Sequence, residues 1–252
     1  MWLLANKHFS PYKVYISRAN KLVVCLNPKV GSTTFREVLL EGLQHIGARP
    51  FRSRLWPMNI TRRYSVAPLK DYINAFAHPN CYSFHCFVRN PYSRVLSAWN
   101  DKLVKGFNGG QYPRSMIKLV PRLRQFATHN QLEGEDESKP IPFSTFIAYV
   151  ESQTEGKRNQ HWDSQFSVLS MEKINYDHIY KMETEFVEGM VNILAPLGIP
   201  KEWIINKLKR PANASGKIEQ PVYNRELANR VYQLYQQDFK TFGYAKDSWQ
   251  GS

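Results

Sequence analysis

Cysteine is scarce in this chain and carries no pattern. Cys25, Cys81 and Cys86 are the only three in 252 residues, and none of them form a CxxC spacing. That argues against a disulfide framework and against a thiolate zinc site. Long hydrophobic runs are also missing. The opening MWLLANKHFSPYK has too short an apolar run for a signal peptide or a membrane span, and nothing later approaches the ~18 apolar residues of a spanning segment. The expectation is a soluble chain in a reducing cytoplasm, with Cys25 a small core residue. Carboxylates are in short supply as well. There are 21 Asp and Glu against 34 Lys and Arg, a formal charge of 34 − 21 = +13. Such an excess favours an anionic partner (nucleotide, acidic polysaccharide, nucleic acid or membrane surface) without choosing among them. No GxxxxGK[ST] loop and no internal repeat occur.

What is present suffices for a packed core: 42% of residues are hydrophobic and 13% aromatic, which excludes global disorder. The length fits a single domain over residues 1–252. Leu22 to Leu26 reads as a buried strand, and Phe35, Val38, Leu39, Leu43 and Ile46 then recur at helical spacing. Tyr82 to Val88 reads as a second strand. Asn90-Pro91 opens a helix, Asn as cap and Pro in the first turn. Tyr92, Val95, Leu96, Trp99 and Leu103 supply its apolar face. Residues 105 to 140 read as a variable excursion, with some helix near MIKLVPRLRQF and a mobile polar tip. Ser144 is expected to cap a helix reaching Val150. IYKME, 179 to 183, reads as a strand, FVEGMVNIL as a helix, and residues 225 to 240 as a last helix. Alternating strands and helices predict an α/β fold with a parallel, helix-covered sheet.

Between the first strand and its helix stands Asn27-Pro28-Lys29-Val30-Gly31-Ser32-Thr33-Thr34. Backbone N–H groups at a helix start attract anions. Gly31 lets a ligand approach the backbone, the three hydroxyls add donors, and Lys29 adds a mobile positive charge. The loop suits a phosphate or sulfate group; the alternative is an ordinary capped helix with Lys29 in solvent. FVRNPYSRVLSAW repeats the strand–turn–helix design. Arg89 ends the strand and can fork onto a phosphate. Ser97 follows eight residues later, about two helical turns on, where it can donate to the same group. Their alternatives are a structural ion pair and a small packing residue. Two anion sites at neighbouring strand ends imply a ligand with two separated anionic groups.

PKVGSTTFR together with RNPYSRVLSA resembles the two cofactor signatures of sulfotransferases that use 3′-phosphoadenosine 5′-phosphosulfate. The resemblance is closest to the carbohydrate sulfotransferases that include the chondroitin 4-O- and HNK-1 enzymes. RNQHWDSQ, INYDHIYKMET and VYQLYQQDFKTFGY are similar to later segments of that family, in the same order. The resemblance implies a three-layer parallel sheet with a P-loop-like strand–loop–helix. It implies that Lys29, Val30, Gly31, Ser32, Thr33 and Thr34 hold the 5′-phosphosulfate and that Arg89 and Ser97 hold the 3′-phosphate. Asn213, Ser215 and Lys217 would close over the nucleotide. The expected partner is an anionic or neutral glycan acceptor, not nucleic acid, and no metal is required. Lys29 would neutralise charge on the leaving side, and His161, in the His-Trp segment, would be the general base. His78 is the second choice for the base, His85 a core or sheet-face residue, and Glu183 a group that orients a neighbour or binds acceptor. The chain departs from many family members in lacking their N-terminal anchor and the Cys pair after the His-Trp segment. Those departures fit a bacterial or cytoplasmic relative. Two other functions compete: a nucleotide kinase, disfavoured by the missing GxxxxGK[ST], and a non-enzymatic polyanion binder built on clusters such as RSRLWPMNITRR.

Overall fold

The computed structural model describes residues 13–48, 69–112, 114, 116–209 and 222–251. They fall into two compact units, one from residues 1–89 and 165–213, the other from 90–164 and 214–252.

The first unit holds a four-stranded sheet of β1 (Val14–Ser17), β2 (Leu22–Cys25), β3 (Ser83–Val88) and β4 (His178–Lys181), in that order. β2, β3 and β4 run parallel, and β1 is an antiparallel edge strand. Burial follows position. LVVC of β2 is buried throughout, as a central strand covered on both faces must be, whereas VYIS of β1 alternates. Helices cover both faces, giving the three expected layers. On one face, Leu22, Val24, Phe87 and Tyr180 pack with Phe35, Val38 and Leu39 of α1 (Ser32–His45). Met190 and Ile193 of the helix Phe186–Leu194 and Ile204 of the helix Lys201–Leu208 complete that layer. On the other, Phe76 of α2 (Leu69–Ala77) meets Phe84 edge-on, with ring centres 5.5 Å apart. Cys25 is buried as expected, and burial pushes its thiol up to about 12.

His85 is the polar exception in β3. It is buried, hydrogen-bonded to Ser83 Oγ (2.9 Å) and Tyr180 Oη (3.3 Å), and stacked on His178 at 4.7 Å. Burial, and then the neighbouring His178 charge, lower its pKa from 6.5 to about 4; Asp177 opposes them. A base whose folded pKa is depressed binds its proton first in the unfolded chain. His85 therefore costs nothing above about pH 6.5 and destabilises the fold progressively as pH falls towards 4. Melting temperature measured across that window should fall with pH in the wild type, and the slope should be shallower in His85→Gln. An unchanged slope would assign the acid sensitivity to other groups.

The second unit is helical. α3 (Pro91–Trp99) begins with Asn90 accepting from Tyr92 N at 3.0 Å, as the Asn-Pro start predicts. It then widens into a π turn, Asn100–Val104, before Lys105–Asn108. α4 (Leu119–His129), α5 (Phe143–Glu151) and α6 (Arg225–Leu234) pack around Tyr92, Leu123, Phe146, Trp162 and Val231. The polar stretch after α4 is pinned rather than loose at its base. Buried Arg124 donates to the carbonyls of Gly134 (2.8 Å), Asp136 (2.6 Å) and Lys139 (3.0 Å). Ser144 does not cap α5: the helix starts at Phe143 with Pro142 in the cap position. The expected last helix is two helices, interrupted at Tyr235 before Gln236–Phe242. Among the described residues no helix is long and apolar enough to cross a membrane.

Candidate functional site

The first loop leaves β2 at Leu26, whose N–H donates to the carbonyl of Lys13 at 2.7 Å. Two residues then turn left-handed: Lys29 at φ 68° and Gly31 at φ 77°. Gly31 is required twice over, because a Cβ there would also stand 2.6 Å from the ring of Phe186. The turn delivers α1 with Gly31 in the cap position, no side-chain cap and no acidic residue in the first turn. Its leading N–H groups and the positive end of its dipole therefore face the loop with no acidic residue of its own first turn beside them. Ser32 and Thr34 are partly exposed and Thr33 is exposed. Val30 is buried in the core.

Basic side chains surround this turn. Arg36, one turn into α1, donates to the Ser32 carbonyl at 3.4 Å. Lys13 is buried, and desolvation, with the Arg36 charge second, lowers its pKa to about 8. Sequence reading passed over both; Lys13 precedes a short edge strand and nothing in its own neighbourhood marks it. Arg89, at the end of β3, extends Nη1 to the Lys29 carbonyl at 3.3 Å. The first unit thus brings Lys29, Val30, Gly31, Ser32, Thr33, Thr34 and Arg89 together on adjacent strand ends, which is where open α/β sheets bind ligands.

Gln165 is the residue sequence reading missed most plainly. Its fully buried side chain accepts from Asn27 Nδ2 and from Arg89 N–H, each at 2.9 Å, and donates to the Arg89 carbonyl at 2.7 Å.

Ser97 and His161 belong to the second unit. Ser97 is buried in α3. The segment around His161 is anchored by side-chain hydrogen bonds to its carbonyls. Arg94, buried in α3, donates to the carbonyls of Asp163 (2.7 Å) and Gln160 (2.9 Å), and Tyr235 Oη donates to that of Trp162 (2.6 Å). Asn159 Oδ1 accepts the His161 backbone N–H at 3.1 Å and lies 2.7 Å from His161 Nδ1. An oxygen already accepting from the backbone requires the ring nitrogen facing it to donate. The neutral imidazole therefore carries its proton on Nδ1, and Nε2 holds the basic lone pair. Of the other candidates, His78 is exposed, ahead of the short turn Pro79–Cys81, and Glu183 is exposed. Asn213, Ser215 and Lys217 lie outside the described residues. Among the described residues, no group of three or more His, Cys, Asp or Glu side chains forms a metal site.

The chain is similar to carbohydrate sulfotransferase 11 of Rattus norvegicus, 24% identical over 257 residues that take in 91% of this chain and 66% of the relative. It is similar to carbohydrate sulfotransferase 12 of Mus musculus, 27% identical over 252 residues, 89% of this chain and 58% of the relative. It is 30% identical to carbohydrate sulfotransferase 12 of Xenopus laevis over 259 residues, 89% and 58% of the two chains. The chain thus spans between 58% and 66% of these relatives' lengths. No solved structure matches it. The family model described as "Sulfotransferase family" matches residues 12–245, and the chain belongs to that family.

Proposed function

We propose that this protein transfers a sulfuryl group from 3′-phosphoadenosine 5′-phosphosulfate to a hydroxyl of a carbohydrate, without a metal. The observation that carries the reading is the uncapped start of α1, free of acid in its first turn and ringed by Lys29, Arg36 and Arg89. The donor set fits a phosphosulfate: N–H groups, hydroxyls and cations, with no acidic residue in the first turn of α1. Membership of the sulfotransferase family and the names of the relatives supply the reaction class and the acceptor class.

In this reading Lys29, Gly31, Ser32, Thr33 and Thr34 hold the 5′ end, and Arg89 with Ser97 holds the 3′-phosphate. The nucleotide supplies an activated sulfuryl group on a good leaving phosphate. Lys29 stabilises the charge that grows on the leaving side. His161 Nε2 takes the acceptor hydroxyl's proton as that oxygen bonds to sulfur, and Asn159 keeps the ring in the tautomer that can do so. The surplus of Lys and Arg assists an acidic glycan to the surface.

The test is sulfate transfer from labelled nucleotide to a panel of glycans, with phenols and lipids as controls, alongside binding of ATP and of adenosine 3′,5′-bisphosphate. Transfer to a glycan, with the bisphosphate binding and ATP not, is expected. Tight ATP binding without transfer would return the chain to the kinase reading. In the same assay Arg89→Ala should weaken the bisphosphate much more than adenosine 5′-monophosphate; equal weakening would make Arg89 a structural residue.

A further inference from the structure

Asn27, Arg89 and Gln165 are far apart in sequence and meet through one side chain. Asn27 opens the first loop, Arg89 ends β3, and the Gln165 amide bonds to both. Each atom of that amide has a job. Oε1 accepts from the Asn27 side chain and from the Arg89 backbone N–H, and Nε2 donates to the Arg89 carbonyl. Two donors on one side and an acceptor on the other also determine which way round the amide lies. The N–H and C=O of Arg89 lie just past the end of β3 (Ser83–Val88), and Gln165 satisfies both as a further strand would. Gln165 is wholly buried, with Asn27 at 1% exposure, so water does not substitute for these bonds.

We propose that Gln165 is a positioning residue that sets the separation between the two anion-binding loops, and so selects a nucleotide carrying charged groups at both its 3′ and 5′ ends. This rests on the reading of the two loops given under Proposed function. The logic is geometric. Each loop can hold one anion unaided, because its donors are its own. A ligand that spans both gains only if the loops stay at the ligand's span, and small errors in such placement are costly. Arg89 is the sensitive element. Its guanidinium already reaches across to the Lys29 carbonyl, so the course of its backbone decides where the second cation stands relative to the first loop.

The experiment measures binding of adenosine 3′,5′-bisphosphate and of adenosine 5′-monophosphate by calorimetry, in wild type, Gln165→Glu and Gln165→Leu. Gln165→Glu keeps the size and the acceptor oxygen and, once ionised, lacks the donor to the Arg89 carbonyl; because burial favours the protonated carboxyl, which would still donate, the titrations are run at pH 7 and at pH 9. This variant guards against Gln165→Leu failing to fold, which a melting curve reports. The bisphosphate should lose ~10-fold or more in affinity, of the order expected for a misplaced contact, and the monophosphate should change less than about twofold. In an Arg89→Ala background, which leaves both backbone bonds in place, the Gln165 substitution should no longer distinguish the two ligands. Equal losses for both ligands, or no loss in either folded variant, would overturn the brace while leaving the two-loop reading intact. Wild-type protein that does not prefer the bisphosphate would overturn the two-loop reading itself, and the brace with it.

Discussion

Lys29→Ala is expected to fold normally and to lose ~100-fold or more in turnover, the scale of removing one preorganised electrostatic donor. The structure makes this a clean substitution. Lys29 holds φ 68°, and Ala meets the same backbone penalty there as Lys because both carry a Cβ. The contact to Arg89 Nη1 runs through the Lys29 carbonyl, so truncating the side chain leaves it in place. What goes is the ammonium together with its aliphatic stem. Turnover should collapse with the melting temperature nearly unchanged, and affinity for the intact phosphosulfate nucleotide should fall much less than turnover, since charge on the leaving oxygen grows only as the bond breaks. Lys29→Arg should recover part of the loss, because a planar guanidinium carries the charge with a different reach. A folded Lys29→Ala protein turning over near the wild-type rate would refute the role.

The second large effect is on His161. His161→Ala should lower transfer by ~100-fold to 10,000-fold, the usual worth of a positioned proton acceptor, with bisphosphate affinity essentially unaltered. Binding survives because the groups assigned to the nucleotide's 5′ end sit on the β2–α1 loop, while His161 lies in a separate segment held by Arg94 and Tyr235. Asn159→Leu gives the graded control. It removes the oxygen facing Nδ1 and frees the ring to place its proton on Nε2. Transfer should drop by less than in His161→Ala and be partly restored by Asn159→Ser. His85→Ala, by contrast, should act through stability, because it opens a hole among Ser83, His178 and Tyr180. His78 precedes β3 and so lies at the opposite end of the sheet from Lys29 and Arg89, against its role as second choice for the base; if His161→Ala keeps its activity, a carboxylate such as Glu183, just past the end of β4, takes the role.

The local pieces of the site were legible in the chain because each rests on chemistry between near neighbours. An apolar run long enough to be buried makes β2. A glycine tolerating φ 77° ends the turn. Helical spacing of Phe35, Val38 and Leu39 orients α1. Asn-Pro starts α3, and FVEGMVNIL folds as the helix Phe186–Leu194. What the chain did not disclose depends on partners distant in sequence. β1 is four residues whose strand character comes from pairing with β2. α2 was hidden because it buries Tyr72 and Ala75 while leaving the apolar Ile73 exposed. The helical pattern runs straight through Tyr235, yet the helix breaks there, with the ring buried and its hydroxyl anchored on the Trp162 carbonyl. Helical spacing likewise continues through Asn100–Val104, where the helix widens into a π turn. Gln165 and Asn159 are ordinary polar residues in the sequence. Only the folded chain brings one to the backbone of Arg89 and turns the other's oxygen onto the His161 ring. Residue types and local spacing therefore determined which groups this protein can offer an anion. Which groups are tied together, and in which tautomer the histidine is held, was decided by tertiary hydrogen bonds, because a buried donor or acceptor must be satisfied by whatever the fold brings beside it.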